Sequence, residues 1–182
     1  MPRFAEVSHE EWFDAPPATV RAQFADLQHH IRAGVHPKLR FELLSQGQQR
    51  TRFVQEVRLL GLRQRDIFER EFDADGTQLD TVVEGFNKGG TVRIRFTPQL
   101  DAGRSGTLVE IQVRLPLPPV LGQLLAPLLR WQILREVRVA AAEDKHDIEV
   151  RGYPAPAPQP HLDGQPPRAR PAANGSPRPA RG

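Results

Sequence analysis

The chain has 182 residues, 38% of them hydrophobic, a formal charge of +3 and no cysteine. A chain of about 150 residues buries roughly 70% of the surface it exposes when unfolded, so one core is the economical reading. The missing cysteine excludes disulfides, thiol nucleophiles and Cys-ligated zinc or iron–sulfur sites within this chain.

The charge is placed unevenly. Arg168, Arg170, Arg178 and Arg181 against Asp163 give residues 153–182 the whole +3, which leaves residues 1–152 near neutral and without a basic face for nucleic acid. Met1 to Trp12 carries charges where a secretory signal needs an apolar run, and Leu115 to Leu129 is too short and proline-broken to cross a bilayer. A cytoplasmic protein without a transmembrane segment is the expectation.

In chain order, Arg3 to Phe13 reads as a strand, and Asp14-Ala-Pro-Pro marks the turn into a helix starting near Ala18 with Val20, Phe24 and Leu27 on its apolar side. Gln28 to Val35 predicts a second short helix, stopped by Gly34 and His36-Pro37 because the residue before a proline avoids helical geometry. From Lys38 the hydrophobic period changes to two. Val92, Ile94 and Phe96 alternate with Arg93 and Arg95, then Val109, Ile111, Val113 and Leu115 with Glu110, Gln112 and Arg114. Such strands have one wet and one dry face. Turn signals at Gln46-Gly47, Asp75-Gly76, Asn87 to Gly90 and Gly103 to Gly106 predict an antiparallel meander.

The dominant element follows. Behind Pro118-Pro119, residues from Val120 to Arg151 repeat apolar side chains at three- and four-residue spacings, predicting a long amphipathic helix with a kink near Ala126 imposed by Pro127. Ile133, Val137, Ala141, Asp144 and Ile148 share one stripe, which sets a carboxylate on the core side. After Gly152 nine of the 18 prolines fall between Pro154 and Pro179 with almost no apolar bulk. The division is therefore a domain over residues 1–152 and a disordered Pro/Arg-rich tail over 153–182, through which a protein partner is conceivable.

The order strand, two short helices, six antiparallel strands and long C-terminal helix resembles the START-like superfamily, also called SRPBCC, over Arg3 to Arg151. The most specific pieces are Val7 to Asp26, containing FDAPPATVRAQFAD, and the closing amphipathic helix. The resemblance implies an α+β helix-grip fold, with a curved antiparallel sheet of about seven strands around the long helix and an apolar cavity between them. It further implies a hydrophobic ligand such as a lipid, sterol, polyketide or aromatic compound, with a wall drawn from Phe53, Val57, Phe68, Val83, Ile94, Phe96, Val109, Ile111, Leu128, Trp131 and Val137. The plain alternative is that these residues fill a solid core.

Two polar sets stand out. Asp66 and Arg70 share a strand face with Leu62, Phe68 and Phe72; they either point inward and pair to orient a ligand or, as charges usually are, stay wet through a register break. The second set is His29, His30 and His36 together with Asp144. The closing EDKHDIEVRGY and the spacing Asp26-Leu-Gln-His29 resemble the catalytic domain of Rieske oxygenases, which implies a mononuclear non-haem iron held by two of these histidines and Asp144. The same histidines also read as ordinary surface or capping residues.

Function therefore stands open among three readings: a hydrophobic-ligand protein; an enzyme, either a polyketide cyclase or dehydratase using Asp66 or Asp144 or a relative of the iron oxygenases; and a non-catalytic interaction module.

Overall fold

The computed structural model describes residues 4–154 apart from 48, 60, 102 and 118–121. Of the expected tail only Tyr153 and Pro154 are described, and Tyr153 packs against the core rather than hanging free; residues 155–182 and the Pro118-Pro119 helix start lie outside the described residues. The first strand, β1 (Phe4–Phe13), ends at a proline pair. Pro16 is extended and Pro17 opens α1 (Pro17–Ala25), where its fixed φ suits the first turn and its missing N–H costs nothing. Asp26 then caps α2 (Leu27–Ala33), its carboxylate accepting the His29 backbone N–H at 2.8 Å. Gly34 ends α2 in the left-handed conformation, with φ 57°.

Six strands follow: β2 (Arg40–Gln46), β3 (Arg50–Leu59), β4 (Leu62–Phe72), β5 (Gln78–Gly85), β6 (Thr91–Asp101) and β7 (Arg104–Pro116). They form one seven-stranded antiparallel sheet in the order β1-β7-β6-β5-β4-β3-β2. Consecutive hairpins explain all of it except β1, which pairs along β7 and brings the start of the chain beside its late strand. The period-two patterning is realised most cleanly on β7, where Val109, Ile111, Val113 and Leu115 are buried and Gln112 and Arg114 exposed.

The long helix α3 (Gly122–Glu149) runs through Pro127 as one helix. Ile133, Ala141, Asp144 and Ile148 of its inner stripe are buried, and the apolar members pack with Val20, Phe24, Ile111 and Leu115 in the main core. A smaller cluster of Leu27, Phe53, Phe68 and Val82 lies toward the β2 edge.

Several expectations are corrected. Leu128 and Trp131 are 49% and 60% exposed. At about 100° per residue they lie roughly 180° and 120° from the centre of the inner stripe, whereas Ala126 lies about 20° from it and Leu129 about 80°, on its flank, and both are buried. Val83 is only partly buried because β5 turns Val82 inward, following a register shift between Ile67 and Phe68 of β4. Asp66 and Arg70 are not wet: they are 3% and 7% exposed. The Gly103 to Gly106 turn is shorter than expected, since Gly106 lies in β7 opposite Gln99. A Cβ there would stand 2.4 Å from the Phe13 carbonyl oxygen and 2.5 Å from the Trp12 ring, so glycine answers a close approach rather than a turn.

Candidate functional site

A cavity of about 200 Å³ lies between α3 and the dry face of the sheet. Its wall takes Phe24 and Leu27 from the first helices, Val57, Phe68, Ile94 and Ile111 from the strands, and Ile133 and Val137 from α3. Of the remaining expected wall residues, Phe53, Phe96 and Val109 are buried in the packed core instead. Phe53 stacks on Phe68 at 5.4 Å and Phe96 meets Phe24 edge-on at 5.4 Å.

Two polar clusters interrupt the apolar wall. In the first, α2 and the turn after it meet α3. His30 Nε2 lies 3.1 Å and His36 Nε2 3.3 Å from Asp144 Oδ1, and the ligand-type atoms of the three residues fall within 4.8 Å of one another. The outer ring nitrogens are also engaged. His30 Nδ1 lies 2.8 Å from the Asp26 carbonyl, which can only accept, so it carries a proton. His36 Nδ1 donates to Glu143 at 2.9 Å. The two imidazoles stack with centroids 5.1 Å apart.

His29 is turned elsewhere. Its Nε2 is 2.7 Å from Asp147 Oδ2, and its ring meets Tyr153 edge-on at 4.8 Å. Gln23, fully buried, joins the two carboxylates by donating from Nε2 to Asp144 Oδ1 at 3.0 Å and to Asp147 Oδ2 at 3.2 Å.

The charges in this cluster depend on one another. Burial alone would push the His36 pKa down, but the Asp144 charge and hydrogen bonds to Asp144 and Glu143 raise it above its ordinary value. Burial alone would push Asp144 up, yet the His36 charge and hydrogen bonds from His30 and His36 hold it well below the usual carboxylate range. His36 thus lies buried between two carboxylates, both of which favour its charged form.

The second cluster sits on β4 and β5. Arg70 donates from Nε and Nη2 to the two Asp80 oxygens, each at 2.8 Å, and from Nη1 to the Phe24 carbonyl at 2.8 Å. Asp66, expected beside Arg70, instead accepts from the Asn87 backbone N–H at 2.9 Å and the Asn87 amide at 2.6 Å. Gln78 donates to both Asp80 oxygens at 3.3 and 3.1 Å.

Reasoning on sequence alone missed Gln23, Gln78, Asp80, Asn87, Glu136, Glu143 and Asp147. For the α3 members the signal was weak: Glu136 lies about 100° from the stripe centre, one turn from Ile133, and still lines the cavity. For the strand members there was none, because which residues face each other depends on register.

No family model matches the chain, and no curated protein matches it significantly. Solved structures do match. A protein from Thermus thermophilus aligns at 21% identity over 81% of this chain and 99% of its own, with a TM-score of 0.71. The Zhui aromatase/cyclase of a Streptomyces species aligns at 17% identity over 82% and 99%, TM-score 0.63. A START superfamily protein of Mycobacterium smegmatis aligns at 17% over 74% and 92%, TM-score 0.58. With its seven-stranded antiparallel sheet closed on a long C-terminal helix, the chain has the START-like, helix-grip α+β fold.

Proposed function

We propose that this protein binds a hydrophobic small molecule between the sheet and α3, and that Asp144 acts on it. The carrying observation is the cavity itself, mostly apolar, with buried charged groups set into its wall. Asp144 is the better placed of the two carboxylates: its Oδ1 receives Gln23, His30 and His36, while its Oδ2 has no hydrogen-bond partner among the described residues, so as an ionised group it can accept a ligand donor or stabilise developing positive charge. Asp66 is weaker in that role, since Asn87 takes both its oxygens. The aromatase/cyclase among the structural neighbours makes a cyclisation or dehydration chemistry a natural use of such a group. Native mass spectrometry of freshly purified protein tests the reading: a bound apolar compound, lost on denaturation, is the expected result.

A second reading is favoured by the direction of the ring nitrogens. His30 and His36 both give Nδ1–H to an oxygen acceptor and turn Nε2 toward Asp144, the orientation that outer partners impose on metal-bound imidazoles. Two imidazoles and one carboxylate within 4.8 Å fit a mononuclear ferrous ion, with His30, His36 and Asp144 as ligands. His29, held by Asp147, is not among them. Iron bound there would supply chemistry with dioxygen, and the electrons would come from a separate donor because this chain has no cysteine for an iron–sulfur cluster. Metal content after anaerobic loading with ferrous iron tests it: one equivalent in the parent and none in Asp144→Asn is the expected pattern.

A further inference from the structure

The cavity contains a buried arginine, which invites an anionic ligand such as a fatty acid. The hydrogen-bond inventory argues the reverse. All three Arg70 nitrogens are engaged, two by Asp80 and one by the Phe24 carbonyl, and the guanidinium stands 5.0 Å over the Phe53 ring. Asn87 likewise spends both amide hydrogens, on Gln64 and Asp66.

What remains unused on the wall is acceptor. Gln78 is 1% exposed, and its Nε2 must face Asp80, because the flipped amide would set oxygen against carboxylate; its Oε1 is then buried with no partner. Glu136 lines the cavity with no hydrogen-bond or ion-pair partner among the described residues, and Asp144 Oδ2 is likewise free. Among wall amides Gln55 alone has N–H groups without a partner among the described residues. Four carboxylates, Asp66, Asp80, Glu136 and Asp144, share this space.

We infer that the cavity takes a compact, neutral ring compound whose hydroxyl or amine donates to Gln78 Oε1, and that it rejects carboxylates. The compactness follows from the volume: a cavity of about 150 Å³ holds benzene, and this one is about 200 Å³. The polarity follows from the spare acceptors, since an unpaired buried acceptor gains a full hydrogen bond from a donor and is further penalised by an anion. This inference rests on the small-molecule reading above.

The test uses the full chain in the presence of EDTA, so that no metal contributes, with 2-naphthol, naphthalene and 2-naphthoate compared by calorimetry near neutral pH. The expected ranking has 2-naphthol about tenfold tighter than either relative, the size of one hydrogen bond to an otherwise unpaired buried group. Gln78→Leu is expected to bring 2-naphthol down to the naphthalene value while naphthalene stays within about threefold. Equal or tighter binding of 2-naphthoate, or a 2-naphthol preference that survives Gln78→Leu, overturns the inference while leaving the cavity reading intact. Failure of all three compounds to bind overturns both. If Gln78→Leu does not fold, the ranking on the parent protein alone decides, because a carboxylate or naphthalene at the top contradicts it.

Discussion

His36 and Asp144, far apart in the chain, form a buried pair at 3.3 Å in which each favours the other's charged form. Removing one member strands the other in a site with little water, and such losses typically cost about 3–5 kcal/mol. Asp144→Asn keeps the shape and the Gln23 side of the network but leaves the His36 ring with Glu143 alone. Measured in EDTA by urea unfolding, the variant is expected to lose about 3 kcal/mol, and the His36 ring, followed by NMR, to titrate at lower pH. A His36 titration identical to the parent's would show that the pair is not what sets its charge.

The same pair predicts a stability profile for the metal-free protein. The His36 pKa is raised above 6.5 by Asp144 and Glu143, with the His30 ring stacked beside it. Its contribution is therefore fully present below about pH 6.5 and is lost as pH rises through the folded value. The Asp144 pKa is depressed, so its contribution is present above about pH 4 and is lost as pH falls through the folded value. Both operate together between about pH 4 and 6.5. Urea midpoints in EDTA are expected to be higher near pH 5.5 than near pH 8.5, and His36→Gln is expected to flatten that fall.

How much of this was legible in the sequence depends on which geometry a pattern encodes. Period-two alternation predicts which side of β6 and β7 is dry, and the three- and four-residue spacing sets Ile133, Ala141, Asp144 and Ile148 on the inner face of α3, because both are local rotations along one element. Cap chemistry was equally local: Pro16-Pro17 opens α1 and Gly34 closes α2. The family resemblance grouped His29, His30 and His36 with Asp144 but matched its spacing on His29, whereas the structure turns His29 to Asp147 and brings His30 and His36 to Asp144. Partnership across strands was not legible. Arg70 faces Asp80 because β4 pairs with β5 in a register that also contains a shift at Ile67/Phe68, and nothing in either strand announces that offset. Trp131 failed for another reason: its apolar character was weighed above its angular position.

That contrast makes a direct comparison. Trp131 is 60% exposed with Arg135 5.8 Å above its ring, whereas Ile133, two residues on, is 4% exposed and lines the cavity. Trp131→Ala is expected to change stability by less than about 0.5 kcal/mol, as surface substitutions usually do. Ile133→Ala, which deletes buried methyl groups, is expected to cost about 2–4 kcal/mol. Chemical denaturation of the two variants checks the phase of α3, and a reversed order would mean that the helix presents its other face to the sheet.

The Arg70–Asp80 pair gives the sharpest energetic test, because its terms oppose each other. Arg70 is 7% and Asp80 5% exposed, and two parallel 2.8 Å hydrogen bonds join them. Arg70→Met leaves the Asp80 carboxylate buried with only the Gln78 amide to solvate it, and also frees the Phe24 carbonyl. Asp80→Leu leaves a buried guanidinium with one carbonyl. Each single change is expected to cost about 3–5 kcal/mol, the penalty for an uncompensated buried charge. The double variant removes both charges at once. Since replacing a whole buried pair by apolar groups of similar volume is often close to neutral, it is expected to be more stable than either single variant, with a coupling energy of about 2 kcal/mol or more in the double-mutant cycle. Urea unfolding of all four proteins measures that coupling. Additive single-variant costs would mean that Arg70 and Asp80 are each satisfied by water or by other groups, and Arg70 would then be free to meet an anion in the cavity.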